Sequence, residues 1–236
     1  MTVYVVATAK PWNIAAFNKH ASSLPGEWLL IDRPGKLVPE EIERLNPRYI
    51  FFPHWSWLVP QSILDLAECV CFHASDVPYG RGGSPIQNLI ARGHHQTVLS
   101  AIRMVKQLDA GPVYLKRPLS LVGRGQDIFE SMAELTWEMI SEILCKEPEP
   151  DPQLGEVVVF PRRTPEQSKL PSQGTLGAAY DHIRMLDAET YPPACIDYGD
   201  YHLSFSHAEL GSDALTARVT ITLRHKPSSA EVTDEQ

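Results

Sequence analysis

The chain lacks three features, and each absence excludes a class of protein. No apolar run approaches the roughly 20 residues that a membrane-spanning helix needs. The four cysteines show no paired zinc-type spacing, so neither a zinc site nor a disulfide framework is expected. Basic residues are too few to form a nucleic-acid footprint, because 21 Lys and Arg stand against 29 Asp and Glu, a net charge of -8. We therefore expect a cytoplasmic protein that binds neither membrane nor nucleic acid.

The order of apolar segments predicts an α/β fold. The 236 residues are 43% hydrophobic, which fits one main core and a smaller appendage. Met1 to Thr8 reads as a strand without a basic leader, and strand-like and helix-like segments then alternate, which is typical of a parallel sheet with crossover helices. Predicted strands are Val3–Ala7, Trp28–Ile31, Tyr49–Phe52, Asp65–Phe72, Thr97–Met104 and Val113–Pro118; predicted helices are Asn13–Leu24, Glu40–Leu45, Pro85–Arg92 and Asp127–Lys146.

A proline-rich segment divides the chain. Residues 147–156 carry alternating prolines, which remove backbone donors and forbid a helix, so they are predicted to form a stiff linker. Residues 1–146 before it are predicted to form a Rossmann-like domain with a mostly parallel sheet and flanking helices. Residues 157–225 are predicted to form a small extension with a short strand (Val157–Phe160), a helix (Gly174–Leu186) and a β-hairpin (Ala194–Glu209), and residues 226–236 a disordered tail.

Two short motifs indicate chemistry. His73 follows an apolar strand and precedes a glycine-rich turn, which is the position where open α/β sheets bind ligands. Asp109 lies in a tight turn between two strand-like runs, and a histidine and a carboxylate on neighbouring strand ends can transfer protons. Each residue also has a structural interpretation: His73 as a loop histidine bonded to backbone, and Asp109 as a turn-forming aspartate.

These motifs resemble those of the folate-dependent formyltransferases. The matching runs are Cys71-Phe72-His73-Ala74-Ser75-Asp76-Val77-Pro78, Arg81-Gly82-Gly83, Pro85-Ile86-Gln87 and Leu108-Asp109-Ala110-Gly111-Pro112, followed by Arg162–Glu166 and Ile183–Asp187. The resemblance runs from about Tyr49 to Leu203 and rests on two motifs in the family's order. It implies transfer of a formyl group from 10-formyltetrahydrofolate to an amine, without a metal.

The resemblance also implies roles for individual residues. His73 would hydrogen-bond the formyl oxygen as charge develops there, and Asp109 would orient the imidazole and help to remove the amine proton. The family's catalytic asparagine is replaced by Cys71, whose thiol is a weaker donor, so Ser75 or His54 is a candidate substitute. Cys71 and His73 would alternatively form a thiol–imidazole pair for covalent acyl transfer, although a buried strand cysteine is the commoner case.

Three groups of residues are candidate binding residues, and each has a structural alternative. The resemblance assigns the walls of the pterin site to two segments, Trp57, Leu58, Val59 and Pro60, and Met104, Val105, Lys106 and Leu108. Arg81, Gly82 and Gly83 could cradle a phosphate, or form a plain turn before the following helix. Tyr180 and Arg184 could reach the acceptor, or pack between domains. The spacing of His54, His73, His94 and His95 fits no standard metal site.

The predicted function is that of an N-formyltransferase. The short acidic extension favours, as acceptor, the amino group of a nucleotide-linked deoxyamino sugar destined for a surface glycan. Alternatives are a catalytically impaired folate-binding protein, suggested by Cys71, and a formyltransferase acting on an amino acid or a siderophore-type amine. A methionyl-tRNA acceptor is disfavoured by the charge of the chain. The oligomeric state, including a homodimer, stays open.

Overall fold

The computed structural model describes residues 1–224, so the predicted tail lies outside the described residues. The strands are β1 (Val3–Ala7), β2 (Glu27–Ile31), β3 (Tyr49–Pro53), β4 (Glu68–His73), β5 (Tyr79–Gly82), β6 (Gln96–Arg103), β7 (Val113–Ser120), β8 (Val158–Phe160), β9 (Ala194–Tyr198), β10 (Tyr201–Leu210) and β11 (Leu215–Leu223). The α-helices are α1 (Pro11–His20), α2 (Pro39–Leu45), α3 (Gln61–Leu64), α4 (Pro85–Ile90), α5 (Gly125–Lys146) and α6 (Leu176–Arg184).

The central sheet has the strand order β2-β1-β3-β4-β6-β7. The first four strands are parallel, and β6 and β7 are antiparallel additions at one edge. The predicted mostly parallel sheet is therefore confirmed. The strand predicted from Asp65 begins later, at Glu68, because the residues before it form the short helix α3 and a turn.

Alternate residues along the parallel strands face two separate cores. In β3, Phe51 points into the larger core, which it shares with Ile128 and Ile140 of α5. Its neighbour Phe52 points to the opposite face, into a smaller core with Ile63 of α3. This period of two, together with helices on both faces, gives the three-layer arrangement of an α/β domain. In β4, Cys69 and Cys71 belong to the smaller core, so His73 lies on that face of the sheet as well.

The proline-rich segment lies against the sheet. Asp151 exchanges two backbone hydrogen bonds with Val113, of 2.8 and 2.9 Å, which extends β7 at its start. Beyond the segment, β8 pairs in parallel with β5. Strand β5 was not predicted from the sequence. Helix α5 precedes the proline-rich segment and is capped by Glu147, which adopts a left-handed conformation with a φ of 42° just before the first proline.

The part of the chain after β8 forms α6 and an antiparallel sheet in the order β11-β10-β9. The predicted hairpin is present as β9 and β10, joined at Gly199, and β11 is an additional strand. The alternation of Leu215, Ala217 and Val219 with polar residues is a strand pattern that the prediction omitted. None of the helices within residues 1–224 combines the length and the apolarity needed to cross a bilayer.

Candidate active site

The structure brings His73 and Asp109 together. His73, the last residue of β4, is 8% exposed, and its Nδ1 lies 3.6 Å from Oδ2 of Asp109. Its Nε2 is 2.7 Å from the carbonyl oxygen of Gly80 and must be the donor, because a carbonyl only accepts. A proton on Nδ1 would then face the carboxylate. The pair has the composition and the proximity that proton transfer requires.

Asp109 reaches His73 by a different route from the one expected. Neighbouring strand ends do not bring them together, because β6 runs antiparallel to β4 and ends with Arg103 opposite Val70. The following segment, 104–112, must therefore fold back over the face that carries His73. Asp109 adopts a left-handed φ of 51° in this segment. Gly111 closes it, since a Cβ there would lie 1.7 Å from the Arg103 carbonyl oxygen.

The glycine-rich turn holds His73 and Asp109 in place, and it is not a free phosphate cradle. The backbone N–H of Gly82 donates to Oδ2 of Asp109 at 2.9 Å, and that of Gly83 donates to the carbonyl oxygen of Phe160 at 3.0 Å. Arg81 donates to Oε1 of Gln153 through two nitrogens, at 3.0 and 2.7 Å. Because these donors are already used within the chain, the alternative interpretation as a structural turn fits the geometry better.

Gln153 is a contributor that the sequence did not indicate. Its Nε2 donates to the carbonyl oxygens of Asp109 and Gly111, each at 2.8 Å, while its Oε1 accepts from Arg81. One side chain of the proline-rich segment therefore ties the turn of Asp109 to the glycine-rich turn. A lone glutamine after the last proline of the segment carries no sequence signal of such a role.

Cys71 is held as a neutral thiol. Burial and, secondarily, the negative charge of Asp109 raise the pKa of its thiol far above the usual range. Since the thiolate is the nucleophile, this environment argues against the covalent alternative with His73. Ser75 is fully buried, and its hydroxyl donates to the carbonyl oxygen of Gly80 at 3.0 Å. Its proton is thus used by the same carbonyl that binds His73, which leaves Ser75 no free donor to replace the asparagine.

The residues predicted to form the pterin site lie on two loops. Val59 and Met104 are partly buried and pack against the same smaller core, so the two loops are neighbours. Large apolar side chains of both loops remain exposed: Trp57, Leu58, Val105 and Leu108. Pro60 and Lys106 are exposed as well. Trp55 packs edge-on against Trp57, with ring centres 4.9 Å apart, and its buried indole nitrogen has no hydrogen-bond partner among residues 1–224. Exposed apolar walls with an unused donor fit a flat heterocycle such as a pterin.

Arg184 is a packing residue. It is 3% exposed, and its Nη1 donates to the carbonyl oxygens of Leu121 and Gly123, at 2.6 and 2.9 Å. Its Nε donates to Asp181 at 2.7 Å, and the guanidinium lies 5.4 Å from the ring centre of Tyr180. With its donors engaged in the chain, Arg184 joins α6 to the start of α5, and the prediction that it binds substrate does not fit these contacts.

A second cluster forms around His54, at the end of the strand next to β4. His54, directly after β3, has its Nε2 at 2.9 Å from the hydroxyl of Tyr191. Burial, with the positive charges of Lys10 and Arg162, lowers the pKa of His54 to about 3, so this histidine is neutral. Lys10 was not singled out from the sequence, and Arg162 entered only as the start of the run 162–166 that resembles the family; 152 residues separate the two, so the sequence gives no sign that they meet.

Two other features bear on where the site lies. A surface depression lined by Met1, Asn46, Arg48 and Arg103 is found at the far end of the parallel strands, away from His73. It is shallow and polar, so the pair of His73 and Asp109 is the better candidate site. Within residues 1–224, no group of three His, Cys, Asp or Glu is arranged to hold a metal ion.

Comparison with known proteins relates this geometry to one family. The sequence profile described as "Methionyl-tRNA formyltransferase, C-terminal domain" matches residues 165–222. A methionyl-tRNA formyltransferase of Mesoplasma florum is 32% identical over 156 residues, which cover 62% of this chain and 50% of that protein. The matched part thus spans about half the length of this curated relative.

Two solved structures share the fold. A structure titled methionyl-tRNA formyltransferase from Clostridium thermocellum is 41% identical, with a TM-score of 0.92 over 95% of this chain and 100% of that chain. A sugar N-formyltransferase from Shewanella sp. shares the fold at 13% identity, with a TM-score of 0.69 over 90% of this chain and 100% of that one. From the 41% identity over almost the whole of both chains, we conclude that the protein belongs to the formyltransferase family.

Proposed function

We propose that the protein transfers the formyl group of 10-formyltetrahydrofolate to a primary amine. The observation that carries this proposal is the pairing of Nδ1 of His73 with Oδ2 of Asp109 at 3.6 Å, beside two loops with exposed apolar side chains. The family supports the reaction class, and the residues of the two loops fit a pterin. 10-Formyltetrahydrofolate is a substrate here, and the chain supplies its orientation and the proton transfers.

The chemistry assigns a task to each member of the pair. The bond between the formyl carbon and N10 of the folate breaks, and a bond between that carbon and the acceptor nitrogen forms. The acceptor nitrogen loses one proton and N10 gains one, so the transfer needs no redox partner. His73 donates a hydrogen bond to the formyl oxygen, in competition with the Gly80 carbonyl that holds its Nε2 at 2.7 Å. Asp109 orients the imidazole and supports its positive charge.

For the acceptor we propose an amine on a nucleotide-linked deoxyamino sugar. The charge of the segment that matches the C-terminal profile supports a small acceptor, since residues 165–222 contain eight Asp or Glu and three Lys or Arg. An RNA-binding surface requires the opposite balance, because it must neutralise phosphates.

An aminoacyl-tRNA is the second candidate acceptor. It is favoured by the 41% identity to the structure from Clostridium thermocellum, whose title names methionyl-tRNA formyltransferase. The two candidates differ in the area that they would bury and in their dependence on salt. Formylation of a tRNA should weaken steeply with rising salt, whereas formylation of a small nucleotide-linked amine should weaken little.

The test is a panel assay with the full chain. 10-Formyltetrahydrofolate is supplied with nucleotide-linked amino sugars, free amino acids, siderophore-type amines and methionyl-tRNA, and the release of tetrahydrofolate is followed. We expect release with a nucleotide-linked amino sugar, and a loss of about 10²-fold or more in His73→Asn. Asp213→Asn, at an exposed loop position, serves as the control. Tight folate binding without release from any amine would replace the proposal by the impaired folate-binding protein.

A further inference from the structure

Two cations near the catalytic pair have no carboxylate partner within the described part of the chain. They are Lys10, which follows β1, and Arg162, which follows β8. By contrast, surface cations such as Lys36 and Lys146 pair with Asp32 and Glu142 at 2.9 and 2.8 Å. Two neighbouring cations with no carboxylate between them are unexpected in a chain with a net charge of -8, which offers many carboxylates.

Neutral groups hold the two cations. Nζ of Lys10 donates to Oγ1 of Thr190 at 2.9 Å and lies 4.7 Å from the ring centre of Tyr191. Nη1 of Arg162 donates to the carbonyl oxygen of Ser56 at 3.1 Å. Burial and the nearby charge of Arg162 lower the pKa of Lys10, so the two cations lie within each other's field. An anion placed between them would relieve this repulsion.

Both cations border the proposed catalytic centre. A Cβ on Gly83 would lie 2.4 Å from Cα of Arg162, so Arg162 is seated directly on the glycine-rich turn. The adjoining Gly82 is the residue whose N–H bonds Asp109. Arg162 therefore contacts Gly83, and the neighbouring Gly82 donates to the carboxylate that faces His73.

The strand register places Lys10 at the same end of the central sheet as His73. Pro53 of β3 pairs with Phe72 of β4 in parallel, so the next residues, His54 and His73, lie side by side at the carboxyl ends of the two strands. Lys10 is close enough to His54 for its charge to lower the pKa of that histidine. The cations thus flank the end of the sheet at which His73 lies.

Two buried side chains near Lys10 and Arg162 have a nitrogen atom that makes no regular hydrogen bond within residues 1–224. The amide nitrogen of Gln87, a residue that is 2% exposed on α4, makes no hydrogen bond of standard geometry within residues 1–224, and the acceptor it lies nearest is the Tyr191 hydroxyl. This side chain lies beside the Tyr191 hydroxyl, since it acts on the pKa of that group. Nδ1 of His54, whose Nε2 contacts the same Tyr191 hydroxyl, is a second buried nitrogen without a partner in the described part of the chain, and it is a donor in the tautomer in which Nε2 accepts from that hydroxyl. Buried donors are rarely left unpaired, so a ligand oxygen is the expected partner.

We propose that Lys10 and Arg162, assisted by Gln87, bind the diphosphate of the acceptor. Two adjacent cations match the two charges of a diphosphate better than the single charge of a carboxylate. The inference rests on the proposed function, because it identifies the anionic part of the nucleotide-linked amine. It also moves the phosphate site from the Arg81 turn, whose donors are used within the chain, to Lys10 and Arg162.

The test uses the full chain and inorganic pyrophosphate as the probe, titrated by calorimetry at constant ionic strength. We expect saturable binding, weakened at least about tenfold in Lys10→Gln and in Arg162→Gln. Lys10→Arg, which keeps the charge, should restore most of the affinity. Lys36→Gln removes the same charge at a distant exposed site and should bind pyrophosphate like the unmodified chain.

A parallel titration separates this inference from the proposed function. Binding of 5-formyltetrahydrofolate, followed by tryptophan fluorescence, should be the same in Lys10→Gln, Arg162→Gln and the unmodified chain, which also reports that the variants fold. Normal folate binding with no pyrophosphate binding, or with equal pyrophosphate binding in all variants, overturns the inference alone. Acetate binding as tightly as pyrophosphate also overturns it, in favour of a carboxylate-bearing acceptor. Failure of the unmodified chain to bind the folate contradicts the proposed function instead.

Discussion

Restoring an amide donor at position 71 should accelerate formyl transfer. Cys71 stands on β4, two residues before His73, on the same face of the sheet. Asn at this position would carry two N–H donors towards the region of Asp109, where the present thiol is neutral and donates weakly. Oxyanion donors of this kind contribute about 10² to 10³ in kcat, or roughly 3 to 4 kcal/mol. We expect a gain near the lower end, because asparagine is larger than cysteine and must fit against the smaller core on which Cys71 packs.

The assay is kcat of Cys71→Asn with the best acceptor from the panel. Cys145→Asn makes the same chemical change at an exposed position of α5 and is the matched control. Placing an amide against the smaller core should cost about 1 to 3 kcal/mol of stability, so thermal unfolding is measured in parallel. A kcat that is unchanged or lower, with folate binding intact, would refute the reasoning and indicate a site specialised around the thiol.

Three further predictions follow from the same contacts. Asp109→Asn keeps an acceptor for the Gly82 N–H but removes the charge beside His73, so kcat should fall about 10²- to 10⁴-fold with little change in unfolding temperature. Gly83→Ala should displace Arg162 and weaken pyrophosphate binding, whereas Gly35→Ala, whose Cβ would meet nothing within 4 Å, should not; equal affinities would contradict the packing argument. The pKa of His54, lowered to about 3 in the folded chain, means that the unfolded chain binds more protons between pH 3 and 6.5. Stability due to neutral His54 is therefore complete above pH 6.5 and lost on acidification, so unfolding temperature should fall more between pH 7 and 5 in the unmodified chain than in His54→Gln.

The sequence was sufficient for features set by local pattern. The long helix α5 has a continuous apolar stripe, and both ends of the prediction fall within two residues of Gly125–Lys146. Strand β4 ends at His73, as the change from apolar to polar residues indicates. Strand β11 was not predicted, although apolar and polar residues alternate regularly along it.

Contacts between distant segments could not be predicted. The fold-back of residues 104–112 depends on the antiparallel direction of β6, and an apolar strand of eight residues looks the same in either direction. The bonds of Gln153 to Asp109 and Gly111 join positions more than 40 residues apart, through a side chain with no periodic signal. Family resemblance supplied the pairing of His73 with Asp109, but it did not supply the residues that fix their geometry.

Composition divides the chain at the proline-rich segment, but the contacts of the candidate site extend across that segment. The prolines of residues 147–156 give this segment the composition of a spacer, yet Gln153 within it bonds the turn of Asp109. Arg162, beyond the segment, is seated on Gly83 of the glycine-rich turn. A stiff, extended segment suits this role, because proline limits the conformations from which Gln153 must be placed and so reduces the entropy lost on ordering it. The stiffness that predicts a spacer in the sequence thus helps Gln153 to fix the turn of Asp109 relative to the glycine-rich turn.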